Sequence, residues 1–174
     1  MIIRREWAMP NKHTFLIKPI KDLIEKYVGN GKNWVDPFAG ENSPAEITND
    51  LNSNKPTVYH LDALEFLKTQ KDESFIGVIY DPPYSITQAR QIYDSFGCDK
   101  FNVSSMNYWS ECKNQIARIV CCGGVVICCG WNSNGIGINR FFITNEILLV
   151  AHGGSKNDTI ITVERKVQTQ GKLF

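Results

Sequence analysis

A chain of 174 residues with 43% apolar side chains has room for one ordinary core, and a formal net charge of +1 is too balanced to announce nucleic-acid binding by its total. No run of 18 apolar residues occurs, and the opening MIIRREWAMP lacks the apolar centre of a signal peptide, so the expectation is a single cytoplasmic domain over 1–174 with no membrane span. Cysteines at 98, 112, 121, 122, 128 and 129 form no CxxC pair, which predicts reduced thiols and no metal site; within each CC dipeptide the two side chains should face opposite ways.

Residues 1–35 carry seven Lys or Arg against three acids, and Arg4, Arg5 and Lys12, with Lys18 and Lys21, form a basic flank suited to phosphates. After this polar start, apolar residues at 16, 17, 20, 23, 24, 27 and 28 have the spacing of an amphipathic helix over 14–28, entered at Lys18-Pro19 and ended by GNGKN. NWVDPF reads as a strand stopped by Pro37, AEITNDLN as a second ending near Asp50, and PTVYH as a third with Asp62 at its tip and a short helix beyond it. FIGVIY is a fourth, of the continuous apolar kind that is buried on both faces of a parallel sheet, and Pro82-Pro83 must end it at Asp81.

Residues 85–104 are polar and irregular, with a helical turn or two around Thr87 to Phe96. A helix from about Ser105 to Val120, a fifth strand in GGVVICCGW, and a closing pair, FFITNEILLVAHGG and DTIITVERKV, joined by a Gly-Gly turn, complete the chain. Strands alternating with helices define a doubly wound, Rossmann-like α/β sheet, with the last pair as an antiparallel edge hairpin.

Acids stand at successive strand tips. Ligands of open α/β sheets bind at the carboxyl ends of strands, and an acid after the second strand, here Asp50, is placed to accept both hydroxyls of a ribose. Asp36, Asp50 and Asp62 would each, taken singly, read as helix caps or turn formers. The first loop, DPFAGENSP, has Gly40 but no GxGxxG, and no phosphate-binding GKS or GKT exists, which argues against dinucleotide oxidoreductases and P-loop enzymes. A nucleoside-bearing cofactor without a pyrophosphate remains.

In DPPY, the Asp81 carboxylate and the Pro82 carbonyl are two acceptors for the hydrogens of an exocyclic amino group, Tyr84 offers a ring for stacking on a base, and Pro82-Pro83 hold the group in place before substrate arrives. IYDPPY, with DPFAG upstream, resembles the S-adenosylmethionine-dependent DNA amino-methyltransferases, and most closely their small adenine-N6 members. The resemblance is carried by residues 14–84 and continues into GGVVICCG at 123–130. It implies a Rossmann-like methyltransferase sheet, S-adenosyl-L-methionine as cofactor, and transfer of its methyl group to N6 of a flipped adenine in DNA. Asp81, Pro82, Pro83 and Tyr84 match the catalytic motif. Asp36, Pro37, Phe38, Ala39 and Gly40 match a cofactor motif, Asp50 the ribose-binding acid, Asp62 with Ala63 the acid beside the cofactor adenine, and Lys18 with Pro19 the remaining cofactor motif. The resemblance also implies a bacterial, phage or mobile-element protein.

Two departures stand out. Glu41-Asn42 replaces a second glycine after Gly40, and only 20 residues separate DPPY from the next predicted helix, so no separate target-recognition domain is expected. DNA contacts are then expected from Gln88, Arg90, Gln91, Lys100 and Asn102, with Arg4, Arg5 and Lys12 on phosphates. Ile92, Tyr93 and Phe96 offer a surface for a second subunit, a homodimer being one way to enlarge the DNA-binding face. The competing readings are a cytosine-N4 acceptor, an RNA base or a protein amide, and a non-catalytic binding relative.

Overall fold

The computed structural model describes residues 1–95, 107–154 and 156–167, apart from the side chains of Ile86, Ile92, Tyr93 and Ser95. Its strands are β1 (Ile2–Trp7), β2 (Trp34–Asp36), β3 (Ile47–Thr48), β4 (Phe75–Tyr80), β5 (Val120–Gly130), β6 (Phe142–Ala151) and β7 (Thr159–Lys166). Its helices are α1 (Lys18–Val28), α2 (Ala63–Thr69), α3 (Ile86–Ser95) and α4 (Tyr108–Ile119). One seven-stranded sheet runs β1-β6-β7-β5-β4-β2-β3. All neighbours pair parallel except β7, which is antiparallel to both β5 and β6.

The two faces of the sheet follow from period-2 alternation. Ile79, Ile127 and Cys129 point to one face, where α1 lays down Ile20, Leu23, Ile24 and Val28. Val78, Tyr80, Val126 and Cys128 point to the other, against Phe66 and Leu67 of α2 and Cys112 and Ile116 of α4. The cysteines of the second CC dipeptide therefore do face opposite ways. Each fully buried aliphatic side chain contributes on the order of 1.5–3 kcal/mol, so losing the α1 stripe would expose one whole face. Helices on both faces of a mostly parallel sheet make this the doubly wound arrangement that the alternating pattern predicted.

Three details differ from the sequence reading. The amino terminus forms β1, parallel to β6 from Ile2↔Glu146 to Trp7↔Ala151, so the β6–β7 hairpin has one further strand outside it. PTVYH is not a full strand: it makes one bridge, Asn49↔Tyr59, because β3 beside it is only two residues long and leaves almost nothing to pair with. The helix preceding β5 passes into the strand at Val120 without a loop, and the register shifts between Phe75 and Gly77 of β4. Gly77 itself has to be glycine, since a Cβ there would sit 2.6 Å from the Trp34 ring of the adjoining strand.

Glu146 fastens β1 and α1 to the sheet. Its carboxylate accepts from Arg4 Nε at 2.9 Å, Lys26 Nζ at 2.6 Å and the Tyr27 hydroxyl at 2.7 Å. Burial pushes this carboxyl up, but the three donors outweigh it and hold it at about 2.

Candidate active site

From β2 the chain steps outward to β3, then returns to place β4 on the other flank of β2. The reversal puts the switch point between the carboxyl ends of β2 and β4, where a crevice must open. Asp36 is the last residue of β2 and Asp81 follows the last residue of β4. A cleft of about 760 Å³ lies here. Its walls include Pro37, Phe38 and Gly40 from the first loop, Asp50, Ala63 at the start of α2, and Asp81, Pro82, Pro83 and Tyr84.

Asp50 stands on the cleft wall. Its Oδ2 accepts from Gly40 N–H at 3.1 Å and its Oδ1 from Asn52 N–H at 2.8 Å. A carboxylate has about four acceptor sites, so two remain for a ligand in the cleft. Gly40 has φ 56°, and a Cβ there would meet nothing within 4 Å, so its glycine is required by backbone conformation and not by crowding. Asn42 does not take over a left-handed role: the non-glycine residues of positive φ among those described are Asn33, Glu73 and Phe141.

Asp81 is half-buried, with Oδ1 accepting from the Tyr84 hydroxyl at 2.7 Å. Burial raises its pKa, against hydrogen bonds from Tyr84 and Thr14 that favour the charged form. The Tyr84 backbone N–H donates to Gln88 Oε1 at 2.9 Å, and its ring meets Trp131 edge-on with centroids 5.6 Å apart. The DPPY turn is thereby held from three sides before any substrate binds.

Other predicted residues serve the frame. Asp36 is 0% exposed and does not line the cleft; it accepts from Phe38 N–H at 2.9 Å and the Ser43 hydroxyl at 2.7 Å, pinning the first loop. Burial pushes it up to about 7 despite those donors, with the charges of Asp81 and Asp50 pushing the same way. Asp62 caps α2, accepting from Leu64 N–H at 2.9 Å and Glu65 N–H at 3.1 Å, and its other oxygen takes the Tyr108 hydroxyl at 2.8 Å. It stands behind Ala63, outside the cleft lining. Ala39 is buried beneath the loop. Lys18 points to solvent and pairs with Asp22, and Pro19 is buried at the helix start; the cleft is reached instead by Thr14 and Ile17, just ahead of them.

Of the residues expected to meet DNA, Gln88 lines the cleft and supports Tyr84, Lys12 lines the cleft mouth, and Arg5, Arg90 and Gln91 are exposed. Arg4 is already bonded to Glu6 and Glu146, so its charge is largely neutralised within the chain. Lys100, Asn102 and Phe96 lie outside the described residues, as do the side chains of Ile92 and Tyr93. Sequence reasoning missed Thr14, Trp131, His152 and Lys156 around the cleft. Trp131 had a signal, since it directly follows the apolar run of β5. His152 and Lys156 had none, because they follow the carboxyl end of β6, whose place two strands away from β5 is set by long-range pairing.

Among the described residues no group of three His, Cys, Asp or Glu side chains is placed to hold a metal, and no helix is long and apolar enough to cross a membrane.

The sheet order and the cleft at its switch point define a Rossmann-like α/β protein. The same fold appears in TrmN from Thermus thermophilus, which matches with a TM-score of 0.55 at 12% identity over 90% of this chain and 50% of that one, so this chain spans half of its length. HI0767 from Haemophilus influenzae, described as a candidate methylase, aligns with a TM-score of 0.48 at 10% identity over 87% of this chain and 88% of that one. No family model and no curated protein matches the chain.

Proposed function

We propose that this chain is an S-adenosylmethionine-dependent methyltransferase acting on the exocyclic N6 amino group of adenine in DNA. The observation that carries the reading is that Asp81 and Asp50 line one cleft: a carboxylate beside a proline carbonyl for an amine, and a second carboxylate with spare acceptor sites. The cleft fits the cofactor on its own terms, since Asp50 suits a ribose, Phe38 and Ala63 supply apolar wall, and nothing resembles a pyrophosphate cradle.

The cofactor supplies an electrophilic methyl group on a sulfonium. What the chain contributes is orientation. Asp81 and the Pro82 carbonyl accept the two amino hydrogens of the target, which turns the nitrogen lone pair out of the ring plane. Were nitrogen to take the methyl group from a bound sulfonium, with the carbon–sulfur bond breaking and a neutral thioether leaving, positive charge would pass to the nitrogen beside the Asp81 carboxylate, an attraction stronger in the transition state than in the ground state. The hydroxyls of Tyr84 and Thr14 take up part of the acceptor capacity of Asp81 and leave the rest for the amine. The excess proton then leaves the amine for water, with Asp81 in hydrogen-bond reach.

The test is transfer from methyl-labelled cofactor to DNA containing adenine, followed by identification of the product nucleoside. N6-methyladenine is expected. Label in N4-methylcytosine, in RNA or in protein would move the acceptor, and cofactor binding without transfer to any of them would leave a binding protein.

A further inference from the structure

Pro82, Pro83, Tyr84 and Trp131 form a wall with two sides. One side faces the 760 Å³ cleft; the other faces a second cavity of about 200 Å³ between the carboxyl ends of β4 and β5 and helix α4. Tyr80, Trp109 and Lys113 contribute to the second cavity, and Asp81 does not. The accepting carboxylate is thus turned away from it, and whatever enters this cavity is not the group being methylated.

Its chemistry is specific all the same. Tyr80 is 3% exposed, and its hydroxyl has no hydrogen-bond partner among the described residues. A buried hydroxyl left unpaired carries a desolvation cost that a ligand edge offering a donor or acceptor would remove. Trp109 and Trp131 bring indole faces, the second of them 44% exposed. Lys113 makes no salt bridge among the described residues and adds a cation to the rim. Aromatic faces, one polar reader and one cation, in a volume below that of a drug-sized pocket, suit a single heterocycle on a phosphate chain.

We propose that this cavity binds an unpaired nucleobase next to the acceptor base, and that an unpaired strand is therefore the preferred substrate. This rests on the methyltransfer reading for the word acceptor, but not for the binding itself. A duplex would have to surrender two stacked bases to fill both sites, and a chain of net charge +1 has little backbone attraction with which to offset that. An unpaired strand has neither base to extract.

The test uses the whole chain with S-adenosylhomocysteine present, a short adenine-containing deoxyoligonucleotide as probe, and the same oligonucleotide annealed to its complement. Tryptophan quenching should report binding at least tenfold tighter for the single strand. Trp109→Phe should keep the fold, checked by thermal melting, and weaken the single strand severalfold. Tyr80→Phe should leave the stack intact and change the relative affinity for oligonucleotides differing only at the neighbouring base. Equal affinity for the duplex, or a neighbouring-base preference unchanged in Tyr80→Phe, would overturn the proposal. A transfer assay on the same probe separates the two readings: transfer with no Tyr80-dependent preference removes the cavity and keeps the enzyme, whereas base-dependent quenching without transfer keeps the cavity and removes the enzyme.

Discussion

Asp36 and Asp81 close two neighbouring strands, paired through Trp34↔Gly77 and Val35↔Val78, and burial raises the carboxyl of each. They differ in where their donors come from. Asp36 is satisfied by the loop it organises and sees no cleft. Asp81 takes side-chain hydroxyls from Tyr84 and Thr14 that a substrate can displace, and it lines the cleft. A strand-tip acid is therefore a framework piece or a working group according to whether its partners are permanent.

The strongest way to break this comparison is to remove each acid. Asp81→Ala should lower kcat by about 10²–10³, as when a charge-stabilising group is deleted from an active site, with cofactor affinity and melting temperature near wild type. If turnover survives, the two acids are not functionally different. Asp36 should show itself in stability instead. Its folded pKa of about 7 lies above its unfolded value of 3.8, so the folded state holds the proton more tightly. Stability should fall as pH rises from about 4 to 7, by on the order of 3 kcal/mol, and Asp36→Asn should flatten that limb in urea titrations. A pH-independent wild type would remove the argument.

Asp50 offers a smaller effect of a third kind. Asp50→Ala should weaken S-adenosylmethionine binding by about 1–3 kcal/mol in calorimetry, the range for lost charge-assisted hydrogen bonds. Unchanged affinity would take Asp50 out of the site. The smallest change sharpens the role of Tyr84. Tyr84→Phe removes the hydroxyl that favours ionised Asp81, so the acidic limb of the kcat profile should move to higher pH, with about 1 kcal/mol at stake. An unmoved limb would mean that the hydroxyl leaves Asp81 during turnover.

What could be read beforehand was local. The α1 stripe, the buried run of β4 and the stiff exit through Pro82-Pro83 are set by residues within one turn or one strand of each other. The cleft contacts of Pro37 and Gly40, just after β2, and of Asp50, just after β3, followed because each stands at the carboxyl end of a strand. The split between Asp36 or Asp62 as framework and Asp50 as cleft wall was not legible, because a capping carboxylate and a ligand-binding one have the same sequence signature. β1 escaped because Ile2, Ile3 and Trp7 are exposed and its only strand partner among the described residues is β6. The Glu146 cluster escaped for the same reason: Arg4 and Lys26 are drawn to it from more than a hundred residues away.

That distance orders events during synthesis. The segment from Pro10 to Thr14 forms one wall of the cleft, and it is steered there by β1, whose partner strand begins at Phe142. Ile2 leaves the ribosome 144 residues ahead of Glu146, its neighbour in the sheet, which at 5–20 residues per second is a wait of roughly 7–30 s. For that interval β2, β3 and β4 can assemble, with the acids of the switch point in position, while the amino-terminal wall is still unanchored. The nascent chain would have its strand-tip acids in place early and a closed cleft last.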